Sequence, residues 1–194
     1  MSKIINLLTA TTKSKNMKVL KVLLIILVVI IALPLLIALG VDKDFSHEES
    51  LTINAPILQV WEKTNTLQKM DDWSPWTSMD PEIVQDFTGT AGTVGSKNCW
   101  DSQHPEVGAG CQTITKVSAP YLMETHLDFT RPQESEGDAY VKLEEVDGGT
   151  QVTWGIKSEF PYPMNILNLF MDAETAMGPS FQEGLGKLND LVVN

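Results

Sequence analysis

The side chains with chemistry to offer are few and scattered. The chain of 194 residues has three histidines, His47, His104 and His126, and their spacing matches no metal-ligand pattern. His104-Pro105-Glu106 reads as a solvated turn, and His126 falls on the polar side of an alternating run and is expected to face solvent. Asp71-Asp72 and Glu144-Glu145 are adjacent acids. Neighbours on a strand point to opposite faces, so neither pair makes a carboxylate dyad, and Asp71-Asp72 reads as the start of a turn. The chain has no HExxH, no P-loop, no GxGxxG and no GxSxG. The expectation is no catalytic residue, no metal and no cofactor. Cys99 and Cys111 are too few for a thiolate zinc site. They are equidistant from Pro105, near the centre of an expected hairpin loop. In that register they face each other at a separation a disulfide can bridge, which an exported domain would form; two reduced, half-buried thiols are the other outcome.

Apolar side chains are the stronger signal. Trp73, Trp76, Phe87, Trp100, Met123, Phe129, Trp154, Phe170, Met171 and Phe181 are candidates to line a cavity that binds an apolar ligand. Plain core packing is the alternative for each of them. Trp73 and Trp76 flank Ser74-Pro75 in a short segment, a composition suited to a lid or cavity mouth.

The elements that must position these residues follow from periodicity. Alternation over 46–53 predicts a strand. Asn54-Ala55-Pro56 ends it and opens a short helix with Val60 and Trp61 on its apolar side. Residues 71–76 read as a loop or a helical turn, since Pro75 restrains Ser74 to extended geometry. Six more strands are predicted near 82–88, 94–102, 109–118, 121–129, 137–146 and 150–160, with Asp147-Gly148 making a hairpin turn. Met123, Thr125, Leu127 and Phe129 share one face of the fourth of these. The period then becomes helical through Ile166, Leu167, Phe170 and Met171, and again through Phe181, Leu185, Leu188 and Val192. Gly178-Pro179 is expected to break or kink the run, with Pro179 in the first turn of the last helix. Gly184 and Gly186 suggest close approach of that helix to the sheet. Consecutive strands with short turns and one amphipathic helix to cover them make an α+β layer architecture.

Before all this stands a different kind of segment. Residues 22–41 carry no charge, and sixteen of the twenty are Leu, Ile or Val. At about 1.5 Å per residue they reach roughly 30 Å, the thickness of a hydrocarbon core. Pro34 is tolerable in a spanning helix. A cleaved signal peptide is the alternative, with Ala38-Leu39-Gly40 as small residues for a peptidase, although its apolar region is ordinarily shorter, about 7 to 15 residues. Lys3, Lys13, Lys15, Lys18 and Lys21 precede the span, whereas Asp42, Asp44, Glu48 and Glu49 follow it. Basic flanks stay in the cytoplasm. The expected division is a cytoplasmic tail over 1–21, a transmembrane helix over 22–41, and a soluble domain over 42–194, periplasmic or extracellular. Five of the 14 basic residues precede residue 42, which leaves nine against 25 acids and a net charge of −16 on the domain. That balance speaks against nucleic acid and against adsorption to anionic lipid.

The runs "LTINAPILQVWEKTN", "DDWSPWTSMDP", "GTVGSKNCWDSQHPEVGAGCQTIT", "DGGTQVTW" and "FMDAETAMGPSFQEGLGKL", spanning about 46–192, resemble the START-like, or SRPBCC, superfamily, and more narrowly its polyketide cyclase/dehydrase and lipid-transport-like proteins. The resemblance implies a helix-grip (START/Bet v 1-like) fold: a curved antiparallel sheet of about seven strands around a long C-terminal helix, with an apolar cavity between them. A fold that hosts many activities does not name one. Three readings follow. The first is a membrane-anchored binding domain for a hydrophobic small molecule or lipid, without turnover. The second is a polyketide cyclase/dehydratase-like enzyme, which needs polar groups converging in the cavity. The third is an envelope protein-interaction module whose acidic surface steers a basic partner; no protein partner is named by the sequence.

Overall fold

The computed structural model describes residues 2–170 and 173–194, with side chains from residue 19 onward except 173 and 174. The chain divides into two units, one formed by Asp44–Phe160 with Met171–Asn194, the other by Met1–Lys43 with Pro161–Phe170.

The larger unit is a seven-stranded antiparallel sheet with helices between its first two strands and at its end. Strand β1 (Asp44–Ile53) alternates exposed and half-buried residues until Ile53 enters the core, the pattern of a strand with one solvated face. Three short helices follow: α2 (Ile57–Thr64), α3 (Leu67–Asp71) and α4 (Pro75–Met79). Pro56 precedes α2, which buries Ile57, Val60, Trp61 and Thr64. Thr66 caps α3 by accepting a hydrogen bond from the Lys69 N–H, and Pro75 stands in the first turn of α4, where its missing N–H costs nothing. The residues expected to be one loop or turn around Trp73 thus form the junction of two helical turns.

Strands β2 (Val84–Thr88), β3 (Lys97–Asp101), β4 (Ala109–Ser118), β5 (Leu122–Arg131), β6 (Ser135–Val146) and β7 (Gly149–Glu159) complete the sheet in the order β1-β7-β6-β5-β4-β3-β2. The β6–β7 turn is the two residues Asp147-Gly148, with Val146 paired to Gly149. Cys99 stands opposite Cys111 in the β3–β4 register, and the two are bonded. Register shifts interrupt β4–β5 between Ala109 and Gly110 and between Ile114 and Lys116. Such irregularities bend a strand.

Helix α5 (Ala173–Val193) packs on β1 and β7 and against α2 and α4. It runs through Gly178-Pro179 without a break, which puts Pro179 inside the helix and not in its first turn. Pro in a helix interior costs about 3 kcal/mol. Phe181, Leu185, Leu188 and Val192 are all buried by the continuous helix, and each is worth roughly 1.5–3 kcal/mol. Burial therefore outweighs the proline. Gly184 does approach the sheet closely, since a Cβ there would lie 2.6 Å from the Trp154 ring, but Gly186 meets nothing within 4 Å.

The smaller unit contains α1 (Ser2–Ala38) and a 3₁₀ turn over Met164–Leu169. Within α1, Val19–Ala38 is long and apolar enough to cross a membrane, with a mean hydropathy of 3.2 and no buried share. The helix stops three residues short of the expected Val41, at a turn closed by the Gly40 N–H on the Ile37 carbonyl.

Candidate functional site

A cavity of about 300 Å³ lies within the larger unit, walled by α3 and α4 on one side, by the inner face of β2 to β7 on another, and by α5 above Trp154. Register explains its wall. One row across the sheet reads Gln85, Trp100, Gly110 and Phe129; the next reads Phe87, Asn98, Gln112 and Leu127. Alternation sends both rows to one face and sends the Cys99–Cys111 bond to the other. The disulfide therefore clamps β3 to β4 from behind the wall. In the first row Gly110 makes room: a Cβ would meet Trp100 Cζ2 at 2.9 Å. The Trp100 and Phe129 rings close over it edge-to-face, with centroids 5.8 Å apart. Trp100 Nε1 is satisfied by donating to the Val107 carbonyl at 3.2 Å.

A second aromatic group forms the opposite end. Trp154 stacks on Phe181 at 4.3 Å, and Trp76 meets both rings edge-on at 5.5 and 6.0 Å. Offset and edge-on pairs of this kind are each worth about 0.5–1.5 kcal/mol beyond burial. Trp76, Trp100, Phe129, Trp154 and Phe181 all line the cavity, with Leu67, Met70, Leu127, Ile156 and Met177 between them.

Three of the other expected cavity residues belong to the core of the larger unit. Trp73 is wholly buried behind the wall, packed edge-on against Trp154 at 4.7 Å, and its Nε1 donates to the Lys63 carbonyl. The two tryptophans of the expected lid thus divide, Trp73 into the core and Trp76 into the wall. Met123 is wholly buried in the core. Phe87 packs, half-buried, against that core without lining the cavity. Phe170 belongs to the smaller unit and is 81% exposed. Met171 lies outside the described residues.

Polar groups in the wall went unread in the sequence. The Asp71 carboxylate accepts from Thr77 Oγ1 at 2.5 Å and from Gln85 Nε2 at 2.7 Å. Gln112 Nε2 donates to Thr125 Oγ1 at 2.9 Å, and Thr125 donates on to the Ala139 carbonyl. Asn98 is only 7% exposed, and its buried Oδ1 has no hydrogen-bond partner. The signal was present as polar residues two apart from inward aromatics: Asn98 beside Trp100, Gln85 beside Phe87. Asp71 and Glu106 are the charged residues of the wall, and no Lys or Arg lines it among the described residues.

Groups with displaced acidities lie away from the cavity. The Asp138 hydrogen bond at 2.8 Å raises the His126 pKa against partial desolvation, with Asp128 adding to the rise. Burial, then the hydrogen bond to Glu48, pushes Tyr140 up to about 12. The Ser102 hydroxyl holds Asp80 below the usual carboxylate value. No group of three or more His, Cys, Asp or Glu side chains among the described residues is placed to hold a metal ion.

Comparison with solved structures finds the same fold at low identity. Protein CV1439 from Chromobacterium violaceum matches with a TM-score of 0.54 at 14% identity, covering 77% of this chain and 97% of that one. Ara h 8.0201 matches with a TM-score of 0.52 at 16% identity, covering 77% and 98%. The di-domain ARO/CYC StfQ from the steffimycin biosynthetic pathway matches with a TM-score of 0.57 at 7% identity, covering 78% of this chain and 51% of that one. At these identities the likeness shows the fold alone. Among curated proteins none matches. Residues 44–193, from the first residue of β1 to the last of α5, match the family described as polyketide cyclase / dehydrase and lipid transport, and the chain belongs to that family.

Proposed function

We propose that the protein is a membrane-tethered binding domain that holds a hydrophobic small molecule, or one chain of a lipid, without turning it over. The observation that carries this reading is the cavity of about 300 Å³, partly open, between two aromatic clusters. That volume equals roughly ten waters at ~30 Å³ each, which suits a compact ring system better than a whole two-chain lipid. Apolar walls with a few placed polar groups are the ordinary form of such sites. With Asp71 and Glu106 in the wall and no base, an anionic ligand would meet uncompensated negative charge. The ligand is therefore not an anion, and the apolar remainder of the wall favours a neutral one. The tether is α1, and the five lysines before its apolar stretch favour the orientation with the domain on the far side of the membrane from the cytoplasm. The Cys99–Cys111 bond is in keeping with that oxidising side.

Trp76, Trp100 and Trp154 line the cavity, so occupancy is read by tryptophan fluorescence. The full chain in nanodiscs is titrated with naphthalene, 2-naphthol and 2-naphthoate. The two neutral probes should bind and the carboxylate should bind least. Failure of all three to quench or to raise the melting temperature would count against the reading.

Turnover of an aromatic or polyketide-like substrate is a second reading. It is favoured by one observation: Asp71 presents a carboxylate held by Thr77 and Gln85 in the cavity wall. Product formation lost in Asp71→Asn, with probe binding retained, would support it.

A further inference from the structure

Ten consecutive residues between β7 and α5, Pro161–Phe170 (PYPMNILNLF), carry no charge, although the chain after residue 41 is strongly acidic. They close over the end of α1. Asn165 Nδ2 donates to the Ala38 carbonyl at 2.7 Å and to the Val41 carbonyl at 2.8 Å. Tyr162 Oη donates to the Leu35 carbonyl at 3.4 Å, and Asn168 Nδ2 to the Asp42 carbonyl at 3.0 Å. Leu35 and Ala38 belong to the last turn of α1, whose carbonyls lack intrahelical partners, and Val41 and Asp42 belong to the turn that follows it. At the boundary of a hydrocarbon core water is scarce, and such carbonyls must be satisfied from within the protein. Asn165 is 1% exposed, while Tyr162, Leu169 and Phe170 are 45%, 55% and 81% exposed. The segment thus turns its amides to the helix end, half-buries Met164, Ile166 and Leu167, and leaves Tyr162, Leu169 and Phe170 outward.

We infer that Pro161–Phe170 is a second membrane contact, an interfacial element that lies at the headgroup–acyl boundary beside the C-terminal end of α1 with Tyr162, Leu169 and Phe170 in lipid. The inference rests on the reading that α1 spans the bilayer. Three features favour lipid as the occupant: direct continuity with the end of a helix long and apolar enough to cross a membrane, the lack of charge over ten residues, and an aromatic residue with a polar tip at the expected interface. A very acidic protein surface would not adsorb to lipid by itself, so an uncharged patch held at the span's end is the chemistry that can.

The test uses the full chain in phosphatidylcholine nanodiscs. The two native cysteines are bonded to each other, so one added cysteine is the single free thiol for a fluorophore. Labels are placed at Leu169→Cys, at Leu27→Cys inside α1, and at Val146→Cys, an exposed residue at the end of β6. For a side chain about 5–10 Å into the interface, the Leu169 label should be quenched by a doxyl group on the lipid and protected from aqueous iodide by about fivefold relative to Val146. Iodide quenching at Leu169 equal to that at Val146, with Leu27 quenched by lipid, overturns this inference and leaves the spanning helix standing. A Leu27 label that lipid does not quench overturns both. Adding Asn165→Leu, which removes two donations to the helix end, should return the Leu169 label to iodide by several-fold; a label that stays in lipid overturns the role given to the α1 contacts.

Discussion

Replacing Ala139 by leucine decides by its sign whether the space under α5 is empty. Ala139 lies on β6, buried, between Thr125 of β5 and Ile156 of β7, and it lines the cavity. Leucine adds three carbons. At ~30 Å³ per non-hydrogen atom they fill roughly 90 Å³, well inside the 300 Å³ present. Three carbons moved from water into an apolar space gain about 2.4 kcal/mol at 0.8 kcal/mol each. Ordering the leucine side chain costs about 0.5–1 kcal/mol. The net gain is about 1.5 kcal/mol, which for a domain of this size raises Tm by about 3–6 °C.

The same substitution in a filled core would instead cost about 1–3 kcal/mol through forced rotamers and backbone shifts. Thermal unfolding of Ala139→Leu in nanodiscs, followed by near-ultraviolet circular dichroism, separates the two signs. The variant should melt higher than the parent and bind 2-naphthol more weakly, because the ligand and the new side chain compete for the same volume. A Tm lowered by several degrees, with probe binding unaltered, would refute the cavity and with it the binding reading.

The other expectations use the scaffold. The Cys99–Cys111 bond closes a loop of sequence separation 12, so Cys99→Ser with Cys111→Ser should cost about 3 kcal/mol and lower Tm by about 6–12 °C; a melt that does not move would show that the hairpin is ordered without the bond. Gly184→Ala should destabilise by about 1–3 kcal/mol because its Cβ would sit 2.6 Å from Trp154, whereas Gly186→Ala, with nothing within 4 Å, should stabilise by up to about 1 kcal/mol through helix propensity. Equal shifts in chemical denaturation would contradict that placement of α5. The His126 pKa is raised above 6.5 by Asp138, so this pair contributes stability fully below pH 6.5 and loses it as pH climbs through the higher folded value. Asp138→Asn should therefore destabilise more at pH 6 than at pH 8.5 and should lower the His126 midpoint in an NMR titration; a pH-independent effect would oppose the pairing.

Much of the sheet was legible because a strand's period is two. Once Asp147-Gly148 and the loop around Pro105 fix two turns, register follows, and the β3–β4 pairing falls where the cysteines alone would put it. Alternation also sends Trp100 and Phe129 inward. It says nothing about whether an inward side chain ends in packed atoms or in empty space, and that is why Met123 and Trp100 looked equivalent beforehand. The helix continues through Gly178-Pro179, where a break or kink was expected, for a tertiary reason: a proline's local cost is set against the burial of a whole helix face. Phe170 failed for another. Helical spacing marks an apolar residue, not the medium that receives it, and in the structure Phe170 is an exposed ring within the unit that contains α1.

The polar wall residues bear most directly on why the cavity should hold a guest. A core meant to be filled would carry apolar residues along the row Phe87, Asn98, Gln112 and Leu127, as it does at Ile114 and Leu143. Instead two amides occupy the centre of that row. Leaving a buried acceptor such as Asn98 Oδ1 unsatisfied costs about 1–3 kcal/mol. Gln112 avoids that cost only by donating to Thr125, which is itself tied to the Ala139 carbonyl. Asn98 costs the empty fold stability that aromatic packing at either end must offset, and Gln112 is merely satisfied. Amides at the centre of an apolar wall become useful when a neutral molecule with a hydroxyl or carbonyl lies between the Trp100–Phe129 and Trp154–Phe181 pairs. The amides then orient what the rings hold, and the uncompensated Asp71 and Glu106 turn away anions of the same size.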